Sequence, residues 1–325
     1  MTLKLKIIYT SSLFFLALAI LALASLSLGS EFFSFRELFN PSFKIIVWEL
    51  RLPRILLAIA TGGALATSGS VLQVLLKNPL ADPYILGISS AAAFGATLAF
   101  IFHLPYPWIS IFAFGMSLLA LWLIVKAAQR YVHSSSHFLL LTGVLLSFLF
   151  SSAVTFFLTL AQPFEGASLL FWLMGSLSQP LSAWVLLLIL VLIFGIWGFM
   201  YTQAYALNLL NLGEEHAQTL GINVSHTKNV FFITISLLAA VCVSLTGMIG
   251  FVGLLIPHWV RWGWGNDHRL TLPLNFLSGS LFLLIADTLI RTLTTQEIPI
   301  GAVTALIGAP LFLGILWNTI PPKTL

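Results

Sequence analysis

At 325 residues, 59% hydrophobic and only 7% charged, the chain is excluded from the soluble globular class, in which about a quarter of residues carry charge. Its formal charge of +4 does not point to nucleic acid, because basic loop residues follow from membrane topology alone. The apolar runs are long rather than short and alternating, so helices of about 20 residues, not barrel strands, are predicted to cross the bilayer. The expected class is an all-α polytopic membrane protein forming one domain over residues 1–325.

In chain order, Lys4 and Lys6 precede an apolar run over 7–28. Ala22-Leu23-Ala24 before Ser25 resembles a signal-peptidase site. The run nonetheless exceeds the about 7–15 residues of a signal core, so an uncleaved first helix is expected. Further spans are predicted over 55–76, 84–102, 108–126, 138–160, 183–201, 230–248, a shorter one over 249–262, then 271–290 and 301–317, about ten in all. The segment 168–176 is too short to cross and is expected to be a re-entrant or surface helix.

A polar interval over 205–228, YALNLLNLGEEHAQTLGINVSHTK, interrupts this pattern after the sixth span. With the N-terminus inside, nine basic residues (Lys4, Lys6, Lys77, Lys126, Arg130, Lys228, Arg261, Arg269, Lys323) face the cytoplasm. Five (Arg36, Lys44, Arg51, Arg54, Arg291) face outward, which favours cytoplasmic N- and C-termini and places the interval in the cytoplasm. Ala66-Thr67-Ser68-Gly69 before Asn78-Pro79 echoes Ser244-Leu245-Thr246-Gly247 before Ile256-Pro257. The two spans run in opposite directions, the pattern of an inverted repeat.

Within the second span, Gly62, Gly63, Ala66, Gly69 and Ser70 allow close backbone approach, so this helix is expected to be surrounded by protein. Arg51 and Arg54 begin it on the outer side, where the helix dipole is already positive. Either an acid meets them or they reach lipid phosphates; Arg291 poses the same question. Asp287 falls within a span, four residues before Arg291, a spacing that favours a structural ion pair over a proton relay. Gly247, Gly250 and Gly253 before Pro257 suggest a broken helix held within protein. His133 and His137 flank Ser134-Ser135-Ser136 in a solvated loop with no further metal ligand, and Cys242 reads as a packing residue. No phosphate-binding loop, H-E-x-x-H or G-x-S-x-G pattern occurs, so the chain is not expected to hydrolyse ATP itself.

Several long motifs stand in order: Arg51-Leu52-Pro53-Arg54, Ala64-Leu65-Ala66 with Ser68-Gly69 and Gln73, Asn78-Pro79-Leu80-Ala81-Asp82-Pro83 into Leu86-Gly87, and Trp172-Leu173-Met174-Gly175-Ser176. Gly250-Phe251-Val252-Gly253-Leu254 with Pro257-His258 and Arg261, Asp267-His268-Arg269, Ala286-Asp287-Thr288, and Pro299-Ile300-Gly301 through Ile307-Gly308-Ala309-Pro310 follow. In these the chain resembles the FecCD-type permease subunits of binding-protein-dependent ABC importers for iron-siderophore complexes, haem and cobalamin.

The resemblance implies the type II ABC importer permease fold and a dimer with a second permease subunit, identical or paralogous. It also implies two cytoplasmic ATPases that use ATP and Mg, and an extracytoplasmic substrate-binding protein, with no catalytic residue, metal or cofactor in this chain. It assigns ATPase coupling to Leu209, Glu214, Glu215 and Gly221, binding-protein docking to Arg51, Arg54 and Arg291, and a cytoplasmic gate to Asn78, Leu80, Ser134, Ser135 and Ser136. The substrate path is expected along the dimer interface, near the fifth span and 168–176, in a bacterial cytoplasmic membrane. Ala91 and the Trp259, Trp262, Trp264 cluster depart from the family pattern; the tryptophans are expected to anchor at the lipid interface. A self-sufficient ion-coupled carrier is the competing class, with Asp287 its one candidate.

Overall fold

A computed structural model of the chain describes residues 2–29, 31–34, 43–130, 136–160, 163–294 and 296–319, and among them the regular structure is helical, with no strand. Helix α1 (Leu3–Ser27) is apolar on all sides and buries only Leu18, Ser25 and Ser27, the pattern of a helix facing lipid. A π-helical turn, Ile45–Arg51, runs directly into α2 (Leu52–Leu75), with the Leu52 N–H bonded to the Val47 carbonyl where the register changes. Pro53, which has no N–H to give, sits just past that change. The second helical span thus begins two to three turns earlier than its apolar pattern indicates.

Helix α2 is the buried axis of the molecule. It packs against α12 (His268–Leu293), α11 (Val252–Trp264), α10 (Val224–Thr246) and α7 (Ala183–Thr202). Its small residues make this possible. A Cβ at Gly69 would fall 1.8 Å from the Gly253 carbonyl oxygen, and one at Gly62 2.3 Å from that of Gly279, so only glycine permits the observed approach. The expectation that protein surrounds this helix is met.

The chain leaves α2 through a turn at 76–82, makes a 3-10 turn at Pro83–Leu86 and enters α3 (Ile88–Ile101) through Gly87 at φ 76°. Then follow α4 (Trp108–Arg130), α5 (Ser136–Leu160) and the short α6 (Pro163–Leu173). Beyond α7 lie α8 (Ala204–Leu212) and α9 (Glu214–Thr219), which occupy the polar interval. Helices α10 to α12 and α13 (Ile300–Thr319) complete the chain. Among the described residues seven helices are long and apolar enough to cross a membrane, and α3 and α13 supply shorter apolar ones.

The predicted break between 246 and 257 is present. Helix α10 ends at Gly247 (φ 68°), and α11 starts after Phe251, itself left-handed at φ 68°. With 13 residues, α11 is about 20 Å long, short of the roughly 30 Å hydrocarbon core. The irregular backbone is paired inside the protein: the Ser176 N–H donates to the Thr246 carbonyl at 2.7 Å, and that of Ile300 to the Gly175 carbonyl at 3.0 Å. The segment expected at 168–176 is accordingly two-thirds helix, the end of α6, and one-third an inserted turn at Gly175 (φ 82°). Two predicted starts shift as well. Helix α10 begins at Val224, where Asn223 accepts from the His226 N–H, and α12 at His268, where Asp267 accepts from the Arg269 N–H; side-chain caps extend both helices beyond their apolar runs.

Candidate functional site

Functional side chains gather at opposite ends of the bundle. At one end Asp287, on the last turns of α12 and fully buried, accepts from Arg54 Nε at 2.8 Å and from Arg291 Nε at 2.9 Å. Arg54 also donates to Ser178 Oγ and Arg291 to Ser25 Oγ. Thr288 Oγ1 reaches the same Ser25 hydroxyl at 2.9 Å. One carboxylate thus fastens α2 to α12, and serines draw in α1 and the inserted turn. The second arginine was not visible in the sequence, because Arg54 lies 233 residues from Asp287.

Arg51 is held separately. It donates to the Leu26 carbonyl at 2.7 Å and the Glu31 carbonyl at 2.6 Å, and its guanidinium lies 4.5 Å from the centre of the Phe33 ring, a cation–π contact. The three arginines line one cavity of about 390 Å³ together with Glu49, Ser178, Gln179 and Glu297. Two guanidiniums share the Asp287 carboxylate, and Glu49 and Glu297 bring the carboxylates around the three arginines to three, so the cavity presents charged groups of both signs.

At the other end, α8 and α9 form a bent pair broken at Gly213 (φ 130°), with Gly221 (φ 84°) turning the chain into α10. Leu209 is buried with Leu207, Leu210 and Ala217 in the main core, so it fastens the pair to the bundle rather than facing outward. Tyr205, Leu212 and Leu220 project instead, each at least 60% exposed; Glu215 is exposed beside them. Glu214 is paired with Lys228 of α10 at 2.7 Å.

The pair is also riveted to α12. Asn208 donates to Asp267 Oδ1 at 2.9 Å and accepts from the His268 N–H at 2.8 Å. Hydrogen bonds from Arg269, then from Asn208, hold the Asp267 carboxyl down at about 2. Sequence reading placed neither Asn208 nor Asp267 among functional residues; a cap box at the start of a helix was the available signal.

Beside this pair a cavity of about 380 Å³ is lined by Gln73, Lys77, Asn78, Asn211, Arg261 and His268, among others. Asn78 Oδ1 accepts from the Leu80 N–H at 2.9 Å, closing a tight turn that leaves Leu80 45% exposed. Gln73 binds Arg261 and donates to the carbonyls of Ala81 and Gly253, both at 3.3 Å. Asp82, next in the chain, has a backbone N–H partner at Tyr84, and burial pushes its carboxyl up to about 6. Ser134 and Ser135 lie outside the described residues, and of Ser136 only the backbone at the start of α5 is described.

The chain is 40% identical to the haemin transport system permease protein HmuU of Yersinia pestis over 313 residues, 92% of each chain. It is 41% identical to the cobalamin import system permease protein BtuC of Halobacterium salinarum over 280 residues, 84% of this chain and 73% of that one. A solved inward-facing structure of a metal-chelate type ABC transporter superposes with a TM-score of 0.88 at 34% identity, covering 96% of this chain and 99% of the other. The fold is therefore that of an ABC importer permease. Residues 17–318 match the model of the FecCD transport family, and the chain belongs to that family.

Proposed function

We propose that this chain is the permease subunit of an ABC importer that carries a metal chelate, of the haem, cobalamin or iron-siderophore kind, across a bacterial cytoplasmic membrane by ATP-driven alternating access. The observation that carries the reading is the separation of two prepared surfaces. An arginine-lined cavity stands at one end of α2 and α12, and a projecting but riveted helix pair at the other. The α8–α9 pair, through Leu212, Glu215 and Leu220, receives the ATPases, with Glu214, Gly221 and Leu209 holding its shape. The cytoplasmic termini and this pair share one side of the membrane. Arg51, Arg54 and Arg291 receive acidic side chains of a substrate-binding protein on the other.

A second copy or a paralogue of the permease completes the path, and Asn78, Leu80 and the Ser134–Ser136 loop close it on the cytoplasmic side. ATP and Mg belong to the two ATPase subunits. Against an ion-coupled carrier stands Asp287, its one candidate acid, both of whose carboxylate oxygens are already taken by guanidiniums of this chain. The test is uptake into proteoliposomes containing the permease, its ATPase and its binding protein. Uptake of haem, cobalamin or a ferric siderophore that requires ATP supports the reading; uptake driven by an ion gradient without the ATPase overturns it.

A further inference from the structure

The contact between α2 and α12 changes character along its length. In the half nearer the arginines the backbones touch: a Cβ at Gly62 would lie 2.9 Å from Leu283 Cβ, and one at Gly279 2.5 Å from Ala66 Cβ. These contacts set an antiparallel register in which Gly62 falls between Gly279 and Leu283, and Gly279 between Gly62 and Ala66, so that four residues forward on α2 match four back on α12. Two such steps from Gly62 set Ser70 between Thr271 and Asn275, which lie one turn apart on the same face of α12.

Here the seam is polar. Asn275 is fully buried and Ser70 and Thr271 are each 1% exposed. Both amide atoms of Asn275, Ser70 Oγ and Thr271 Oγ1 lack a hydrogen-bond partner in the protein. Four such atoms on adjacent turns are strongly disfavoured in an apolar interior unless something pairs with them. A cation would suit the oxygens but repel Asn275 Nδ2, which requires an acceptor, whereas water both accepts and donates.

We propose that ordered water binds in the α2–α12 seam between Asn275, Ser70 and Thr271. The half of the seam nearer α8 is hydrated, and the glycine half is dry. The inference does not depend on the cargo or on the transport reading.

The experiment is brief X-ray irradiation of the intact permease in lipid nanodiscs, with side-chain oxidation read by mass spectrometry, since bound water yields hydroxyl radicals where it sits. Leu272 and Leu274, both fully buried, are expected to oxidise several-fold faster than Leu283 and Leu284 in the dry half, which are fully buried too. Equal rates for the four leucines in the wild-type protein would overturn the proposal. Combining Asn275→Leu with Ser70→Ala should bring Leu272 and Leu274 down to the rate of Leu283, and a folded variant that kept the faster rate would overturn it too. If the double variant does not fold, the wild-type comparison decides by itself.

Discussion

Arg54 and Asp287, 233 residues apart, are joined at 2.8 Å with the carboxylate completely buried, and Arg291 closes on its other oxygen. Replacing Asp287 with Asn leaves two guanidiniums facing each other across a neutral amide. Loss of one partner from such a buried network costs about 3–5 kcal/mol. Thermal unfolding in a fixed detergent should show a clearly lower Tm for Asp287→Asn; an unchanged Tm would mean the network does not hold the fold.

Arg51 bonds to carbonyls rather than to an acid, so Arg51→Gln should disturb the fold less than a change at Asp287 while removing positive charge from the cavity. Binding-protein affinity is expected to fall about tenfold at low salt, roughly 1.4 kcal/mol. The difference should shrink as ionic strength rises. An affinity equal to wild type at low salt would remove Arg51 from the docking surface.

Asn208→Leu cuts the link from α8 to Asp267 and to the His268 N–H. The buried core of α8 remains, so the ATPase should still co-purify. ATP-driven uptake should drop at least several-fold, and normal uptake would show that the link transmits nothing.

Two carboxyls give opposite pH signatures. Asp267 has a folded value of about 2 against an ordinary 3.8, so its contribution is present above pH 4 and lost as pH falls through 2. After discounting for solvent it is about 1 kcal/mol. Asp82, at about 6, favours its protonated form in the fold and weakens stability as pH rises from 4 to 6. Asp82→Asn, which keeps an N-cap acceptor, should therefore stabilise the protein at pH 7 by about 1–3 kcal/mol. A variant no more stable than wild type at pH 7 and equally pH-dependent would refute this.

Gly69→Ala would drive a methyl to 1.8 Å from the Gly253 carbonyl oxygen, whereas a Cβ at Gly250 meets open space. The first should abolish folding or cost several kcal/mol through overpacking; Gly250→Ala should be close to neutral. Equal expression and Tm for both would contradict the observed helix approach.

Much of this was legible in the sequence because the signals are local. Small residues spaced along 62–70 announced a protein-enclosed helix, the glycines before Pro257 announced a break, and four-residue spacing announced the Asp287–Arg291 pair. The question left open at the three arginines is answered differently at each: Arg54 and Arg291 meet an acid of this chain, and Arg51 meets carbonyls and an aromatic ring. Neither Arg54–Asp287 nor Asn208–Asp267 could be read in advance, since each joins segments far apart in the chain. Leu209 illustrates a subtler limit. In a polar interval one leucine looks like another, and only packing separates buried Leu209 from Leu212 at 70% exposure. The tryptophans divide similarly. Trp262 is 83% exposed, while Trp264 packs edge-on against Phe14 at 5.3 Å.

Helix α12 is one continuous element of 26 residues, about 39 Å long. Its first residues grip α8 through Asn208, and its last turns hold the arginine cluster through Asp287. The helix therefore joins the two ends physically, and by linkage any coupling it carries between them is mutual. On the proposed function, any factor that nucleotide binding applies to the affinity for the loaded binding protein is returned by docking of that protein to the affinity for nucleotide.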